Sequence, residues 1–179
     1  MGLLALAGCA TGPTVNTDHD PSADLSAYRT FGFVKPLSTD RRGYSTLVSI
    51  RLKESTRREL ERRGYRYSDT NPEMLVNFNV NIREKQEVRS DPAIGRYGYY
   101  GYRYGLYDPW GGYPSDVYTV NYKVGTVNVD LVDAQRKQLV WQGMVEGRVR
   151  DKDMRNPSGA IDQVIARIFT KFPATAKPG

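Results

Sequence analysis

The residues of this chain that most often carry chemistry are few, and they stand near its beginning. The single histidine, His19, lies between Asp18 and Asp20, and the single cysteine is Cys9. This set provides no multi-histidine or multi-thiolate zinc site, and it disfavours Cys-His and Ser-His-Asp mechanisms. Neighbouring residues of an extended strand point to opposite faces, so the three side chains do not converge easily on a metal. The sequence therefore predicts no catalytic residue, no metal site and no cofactor.

Carboxylate pairs offer the remaining route to catalysis. Glu84 with Glu87, and Asp151 with Asp153, lie in charged turns and have the pattern of solvated surface charge. A glycan-acting envelope enzyme that uses two carboxylates is retained as an alternative function. Release of fragments from peptidoglycan would distinguish such an enzyme from a protein that only binds.

Cys9 is explained by the residues around it. Met1 to Ala10 is apolar, ends on small residues and is followed by a polar segment, which is typical of the end of an export signal. The segment Leu6-Ala7-Gly8-Cys9 resembles the lipobox of bacterial lipoproteins, and the resemblance implies removal of residues 1–8 and a lipid on the Cys9 sulfur. No Lys or Arg precedes the apolar stretch, so we expect the true start codon to lie upstream. The alternative is a buried hydrophobic segment with an ordinary free thiol.

The residue after the cysteine bears on the location. By resemblance to enteric lipoproteins, an Asp there would favour retention at the inner membrane, but the chain has Ala10. We therefore expect an outer-membrane lipoprotein that faces the periplasm. No apolar run reaches the roughly 20 residues of a membrane-spanning helix, so the lipid on Cys9 is the expected membrane contact. Further partners are expected in the envelope, namely another envelope protein, peptidoglycan or lipopolysaccharide, and the sequence does not predict an oligomeric state.

The segment 95–114 is unusually rich in tyrosine and glycine, and it holds seven of the thirteen tyrosines. Connections of this length are usually functional or disordered, and tyrosine with glycine is typical of recognition loops. The sequence predicts either a partner-binding loop or a low-complexity linker without a fixed partner. The candidate contact residues are Arg96, Tyr97, Tyr99, Tyr100, Tyr102, Arg103, Tyr104, Tyr107 and Trp110.

The basic character of the chain leaves a second alternative. The net charge is +6 and the pI is about 9.4, and interleaved arginine and tyrosine are also found in segments that bind single-stranded nucleic acid. An exported protein would not ordinarily meet nucleic acid, so no nucleic-acid partner is expected unless the signal at Cys9 is misread. The arginines of the first predicted helix form either a basic face toward lipopolysaccharide or phospholipid, or a solvated helix side.

The elements that must position these residues fit one domain. The predicted fold class is α+β, with a largely antiparallel β-sheet of about five strands, two helices packed on one face, and the order β-β-α-β-β-β-α. Residues 9–19 form the lipidated N-terminus and a tether, part of which could instead enter the fold as an edge strand. The domain itself is expected over residues 20–172, and residues 173–179 are expected to form a flexible tail.

Periodicity supports the individual elements. A helix is predicted over Tyr44 to Arg63, with an apolar ridge of Val48, Leu52 and Leu60 and a stop at Gly64. Strands are predicted over Thr30 to Val34, Met74 to Arg83, Val117 to Val132 and Leu139 to Val149. The third of these changes phase at Gly125, which indicates either a β-bulge or a strand covered on both faces. A second helix is predicted between an Asn156 cap and Pro173.

The strings Gly125 to Ala134 and Leu139 to Gly143 resemble the signature of a bacterial lipoprotein family known only as domain of unknown function 4136. Upstream matches lie in the region from Asp20 to Phe33, at Leu60 to Tyr65 and at Glu73 to Asn77. They are carried mainly by Asp20, Asp24, Leu25, Tyr28, the segment Thr30 to Phe33 and Glu73. The resemblance covers about Val15 to Phe172, and Glu73 stands where the family commonly has Asp. It implies an α+β fold and an envelope location, and it brings no activity and no catalytic residue.

Overall fold

The computed structural model describes residues 12–41, 44–92 and 115–177. The chain divides into two compact units, Met1–Arg83 with Val124–Gly179 and Glu84–Lys123. The second unit contains the last part of one long strand and the first part of the next. Cys9 and the segment 95–114 lie outside the described residues.

The first unit contains a mixed α+β arrangement around a six-stranded sheet. In chain order the elements are β1 (Thr14–His19), β2 (Thr30–Phe33), α1 (Leu47–Glu61), β3 (Arg66–Tyr67), β4 (Met74–Pro92), β5 (Ser115–Asp133), β6 (Gln138–Val149), α2 (Asp151–Arg155) and α3 (Pro157–Phe169). A short 3-10 turn, Leu25–Ala27, precedes β2. The strand order in the sheet is β1-β6-β5-β4-β2-β3. The predicted α+β class is confirmed, although the strand number and the element order differ from those predicted.

The sheet is antiparallel on one side and parallel on the other. β1 pairs antiparallel with β6, and Thr14 lies opposite Glu146. β5 and β6 form an antiparallel hairpin. Side-chain hydrogen bonds join Asp130 to Gln142 and Thr126 to Glu146, so residue numbers rise along β5 as they fall along β6. β2, in contrast, pairs parallel with both β3 and β4. The parallel pairing was not predicted, because β3 has only two residues and shows no periodicity of its own.

The core lies between the helices and one face of the sheet. α1 packs against α3, and α3 contacts β6 and β1. The Trp141 ring lies 5.6 Å from the Phe169 ring and 5.0 Å from the Phe172 ring. Trp141 also lies over Gly143, where an added Cβ atom would stand 2.4 Å from the Trp141 ring and 2.4 Å from Ile168. Glycine at this position therefore allows α3 to approach the sheet closely.

The two long helices follow the predicted apolar faces with one exception. Leu52 and Leu60 of α1 are fully buried, but Val48 is 37% exposed, so the predicted ridge was wrong at its first position. Ser49 is buried there instead and donates its N–H to the side chain of Thr46, the N-cap. Gly64 ends α1 with a φ of +85°, as predicted for a left-handed C-terminal cap.

The helix α3 has the predicted cap and core face. The Asn156 side chain accepts the N–H of Gly159 at 3.1 Å, and Pro157 occupies the first turn. Ile165, Ile168 and Phe169 are buried.

The phase change at Gly125 does not interrupt β5. Thr126 and Asp130, beyond Gly125, keep the same register with β6, and Val124 just before it is buried without belonging to the main core cluster. The two predicted alternatives, a β-bulge and a strand covered on both faces, stay predictions.

Both ends of the domain differ from expectation. Residues 14–19 form the edge strand that the sequence left open as an alternative to a tether. At the other end, where a flexible tail was expected, the Ala176 N–H donates to the Arg63 carbonyl and the Lys177 N–H to the Ser26 carbonyl. The tail is therefore held against the domain as far as Lys177.

The outer edge of β1 carries two local contacts. Lys171, just beyond α3, donates its ammonium group to the Val15 carbonyl at 2.9 Å. The His19 N–H donates to the Asp18 carboxylate at 2.9 Å. Both contacts use groups that a further strand would otherwise pair with.

Candidate functional site

The turn between β5 and β6 is organised around one carboxylate. Asp133 accepts the N–H groups of Gln135 and Arg136 at 2.9 and 2.7 Å, and the Arg136 Nε donates to its other oxygen at 3.0 Å. The local cause is the sequence Asp133-Ala134-Gln135-Arg136, because an aspartate at the start of a turn accepts the backbone N–H groups that follow it. Asp133 is 8% exposed, so these bonds form largely out of water.

Tyr28 reaches the same carboxylate from the entrance to β2. Its hydroxyl donates to Asp133 Oδ2 at 2.8 Å and accepts from the Arg136 guanidinium at 3.2 Å. The backbone N–H of Arg136 is the main cause that lowers the pKa of Asp133 to about 2. Burial, and then the bond to Asp133, raise the pKa of Tyr28. At neutral pH the arrangement is thus an ionised carboxylate held by a neutral phenol and a guanidinium.

Glu73 joins the same region from the start of β4. Its Oε2 accepts the N–H groups of Arg29 and Thr30, the latter at 2.9 Å, and its own N–H donates to Thr30 Oγ1 at 3.1 Å. Its carbonyl accepts the N–H of Ala134 at 2.9 Å. Glu73 therefore fulfils a capping role toward β2 although the family commonly has the shorter Asp. We call Tyr28, Glu73, Asp133 and Arg136 the signature cluster.

Asp24 is a second carboxylate that accepts backbone and side-chain donors, and it stands just before the 3-10 turn. It caps the 3-10 turn by accepting from the Ser26 N–H at 3.0 Å, and it accepts from Lys177 Nζ at 2.8 Å. The bond from Lys177, followed by that from the Ser26 hydroxyl, lowers the pKa of Asp24 to about 2. The hydroxyl of buried Tyr65 donates to the Leu25 carbonyl at 3.0 Å, and burial raises the pKa of Tyr65 to about 12.

The bonds of the signature cluster are suited to holding parts of the sheet together. A carboxylate whose pKa is about 2 is a poor proton acceptor near neutral pH, because efficient general bases have a pKa close to the working pH. The bonds instead connect the entrance of β2 to the start of β4 and to the β5–β6 turn. The signature residues that the sequence places far apart are thus brought together to hold three parts of the sheet.

The acidic triplet around His19 lies at the far end of β1. A hollow of about 200 Å³ is lined there by Asp18, His19, Asp20, Leu139, Val140, Trp141 and Gln142. Asp18 accepts the His19 N–H, and Asp20 accepts both the N–H and the hydroxyl of Ser22. The Ser22 hydroxyl is the main cause that lowers the pKa of Asp20. Among the described residues, no group of three or more His, Cys, Asp or Glu side chains is placed to hold a metal ion.

Four arginines in α1 and just after its end are engaged by carboxylates. Arg57 pairs with Glu61, Arg58 with Asp162, and both Arg62 and Arg63 with Glu59. These pairs favour the solvated helix side over a basic face. Of the carboxylate pairs singled out in the sequence, Asp153 caps α2 by accepting the Arg150 N–H at 2.9 Å. Glu84 and Glu87 belong to the second unit.

Other predicted site residues fall outside the described part of the chain. These are Cys9 and the loop residues from Arg96 to Trp110. Residue chemistry alone does not reveal the signature cluster, because Asp133 and Arg136 stand in a short polar segment between two predicted strands. An aspartate that opens a short turn was the available signal for Asp133. No spacing rule would pair it with Tyr28, which lies 105 residues away.

None of the helices in the described part of the chain has the length and hydrophobicity needed to cross a bilayer. No curated protein matches the chain. Among solved structures, a PDZ domain protein from Parabacteroides distasonis ATCC 8503 is similar with a TM-score of 0.56 and 10% identity. The match covers 93% of this chain but only 37% of that protein. PelC from Paraburkholderia phytofirmans, crystallised as a dodecamer, is similar with a TM-score of 0.50 and 11% identity, over 93% of this chain and 99% of PelC. At such identities the likeness concerns the fold alone.

A family model provides the assignment, because it matches residues 15–174 and so includes β1, the signature cluster and α3. The chain belongs to the family described as domain of unknown function DUF4136.

Proposed function

We propose that this chain is a lipid-anchored protein of the bacterial cell envelope, attached through Cys9 to the periplasmic face of the outer membrane, and that its folded domain acts by binding. The observation that carries the proposal is the lipobox-like segment Leu6-Ala7-Gly8-Cys9, which only four residues separate from the first strand of the domain, β1.

The short spacing supports an anchor that keeps the domain near the membrane. Four residues lie between Cys9 and Thr14, and the five backbone steps that join the two span at most about 18 Å when fully extended. β1 is paired with β6 over its whole length, from Thr14 to His19, so the chain beyond Thr14 is no longer available as a tether. A lipid on Cys9 would therefore hold the sheet within a short distance of the bilayer surface.

Binding, rather than catalysis, is supported by the use that the domain makes of its polar groups. Asp133 and Glu73 are occupied by backbone and side-chain donors that hold the sheet together. Arg57, Arg58 and Arg63, in α1 and just after its end, are occupied by glutamate and aspartate. The function then depends on surfaces that the domain presents, and the segment around Arg96 to Trp110 remains our proposed partner-binding loop.

The anchor is tested by mass and fractionation in the native host. The N-terminal peptide of the wild-type chain is expected to carry acyl chains on Cys9, and Cys9→Ala is expected to abolish acylation and release the protein from the membrane fraction. A matched control is Ala10→Asp, which should keep the acyl mass and shift the protein toward the inner membrane. An unacylated Cys9 thiol in a cytosolic wild-type protein would overturn the proposal.

The loop is tested separately by deleting Arg96 to Tyr113 from the full chain. We expect the deletion to keep membrane association, which depends on Cys9, and to remove partners that co-purify with the wild-type protein. Unchanged co-purifying partners would eliminate the loop as the binding element and leave the anchor unaffected.

A further inference from the structure

The face of the sheet that turns away from the helices is lined with side-chain amides. In β4 the core-facing residues are Val76 and Phe78, so the alternate residues Asn77, Asn79 and Asn81 point to the opposite face. In β5 the core-facing residues are Val129 and Leu131, which places Asn128 and Asp130 on that opposite face. All of these positions belong to the first unit.

Four neighbouring strands contribute to this surface. Within the described residues, the amides that share the face are Asn16 of β1, Gln142 of β6, Asn128 of β5 and Asn77, Asn79 and Asn81 of β4. We call this set the amide grid. Asn16, Asn79 and Asn81 are exposed, and Asn77, Asn128 and Gln142 are half-buried by their neighbours.

The register places the amides side by side. Gln142 Nε2 donates to Asp130 Oδ1 at 2.8 Å across the β5–β6 pair. The Ala134 N–H donates to the Glu73 carbonyl where β4 begins and β5 ends. Six residues forward from Glu73 and six residues back from Ala134, Asn79 stands opposite Asn128 on the β4–β5 pair. Because adjacent strands lie about 4.8 Å apart, four strands present these groups over roughly 15 Å. This width is enough for several contacts to one extended ligand.

The charges beside the grid are paired with each other. Arg83 donates to Glu146 at 3.2 Å, and Thr126 donates to the same carboxylate at 3.4 Å. The same face also carries the carboxylates of Asp18, opposite Gln142, and of Asp130, which accepts from Gln142. Because like charges repel, a ligand that fits this surface carries no negative charge in its contact region and forms hydrogen bonds of both directions.

One acceptor in the middle of the grid has no partner. Asn128 Oδ1 is buried and accepts no hydrogen bond from the residues that the structure describes. This oxygen has almost no solvent-accessible surface, so a ligand that lies on the face does not contact it directly. The exposed amide at this point is that of Asn79, opposite Asn128, and it offers the contact for a ligand.

From this geometry we infer that the amide grid binds the glycan strands of peptidoglycan. Each amide both donates and accepts, which matches the sugar hydroxyls and acetamido groups of such a strand. The carboxylates of Asp18 and Asp130 on the same face make the phosphate-bearing sugars of lipopolysaccharide a poorer fit. The inference rests on the proposed envelope location, which brings peptidoglycan within reach of an anchored domain.

The test is co-sedimentation with purified peptidoglycan sacculi. The full chain is used with Cys9→Ser, so that neither lipid nor membrane contributes, and the grid variant carries Asn79→Ala and Asn81→Ala in addition, since both amides are exposed. The matched control is Gln163→Ala, which removes an exposed amide from α3 on the other side of the sheet. Loss of two amide contacts is expected to weaken binding about ten-fold, whereas the control variant binds like the parent. Soluble oligomers of N-acetylglucosamine should compete with the sacculi.

Folding and rival partners are checked in the same preparations. Unchanged thermal midpoints show that the grid variant is folded, and if it is not, the single substitution Asn81→Arg obstructs the same face. Equal sedimentation of parent and grid variant, or no sedimentation of the parent, overturns the inference. Binding to lipopolysaccharide instead of sacculi, or a dimer that the grid substitutions dissociate, also overturns it. These outcomes leave the anchor untouched, because acylation of Cys9 is measured separately.

Discussion

The signature cluster and the amide grid lie on the same sheet and use their polar groups in opposite ways. In the cluster, Asp133 receives backbone, guanidinium and phenol donors and is almost fully buried. In the grid, Asn79 and Asn81 face solvent, and Asn128 keeps an unused acceptor. The cluster residues therefore hold the sheet together, whereas the proposed binding surface is a face that the cluster does not touch.

The largest expected effect is a difference in the free energy of unfolding between substitutions of two aspartates in β5. Asp133→Ala leaves two backbone N–H groups, the Tyr28 hydroxyl and Arg136 without their acceptor, so the free energy of unfolding should fall by about 2–4 kcal/mol. Asp130→Ala removes one bond, from Gln142, and should cost less than about 1 kcal/mol. Chemical denaturation of both variants checks the difference, and equal losses would contradict the assignment of separate roles.

A fall in pH is expected to destabilise the domain through Asp133 of the signature cluster. The pKa of Asp133 is lowered to about 2 in the folded chain, from 3.8, so between these values the unfolded chain binds more protons. The stability that Asp133 provides is thus complete above about pH 4 and is lost as the pH falls toward 2. Urea unfolding of wild type and Asp133→Asn across this range should show two curves that converge on acidification. Curves that stay parallel would show that another group titrates.

A smaller effect is expected from the phenol of the cluster. Tyr28→Phe keeps the ring and removes the hydroxyl that bridges Asp133 and Arg136, which should cost about 1 kcal/mol. Tyr67→Phe is the matched control, because its hydroxyl bonds to the exposed carboxylate of Asp69 at 2.9 Å, and it should cost less than about 0.5 kcal/mol. Thermal unfolding of the two variants measures the contrast. If Tyr67→Phe proved as costly, the fastening role of Tyr28 would lose its support.

The smallest effect on stability is expected in the grid. Asn81→Ala removes an exposed amide and should change the free energy of unfolding by no more than about 0.5 kcal/mol. Denaturant titration is sufficient to measure it. A loss as large as that of Asp133→Ala would show that the grid is part of the scaffold and not a surface for ligands.

The sequence predicts the elements better than their pairing. The alternation of Val76 and Phe78 with asparagines revealed β4, and the spacing of Ile165, Ile168 and Phe169 revealed α3, because burial on one face leaves a period in the sequence. The same alternation continues to Ile82 and would place it in the core, but Ile82 is 55% exposed. Alternation of residue types does not show where the layer that covers the strand ends. The parallel partners of β2 are set by a crossover through α1, and no local pattern records it.

The candidate site could be predicted only in part. Family resemblance drew attention to Tyr28, Glu73 and the strand that ends in Asp133, but it did not show that they meet. Their contacts join residues that lie far apart in the chain, so they depend on the completed sheet. The amide grid was visible as asparagines on the wet side of β4. Its continuation onto Asn128, Gln142 and Asn16 required the strand order.

The contacts along the outer edge of β1 have a consequence for chains crowded on one surface. An exposed edge strand invites pairing with another copy, and the proposed lipid anchor would bring copies together at high local concentration. Lys171 occupies the Val15 carbonyl and Asp18 occupies the His19 N–H, so an incoming strand would have to displace a cation and an anion before it could form a ladder. Dense populations of this protein should therefore resist edge-to-edge polymerisation along β1.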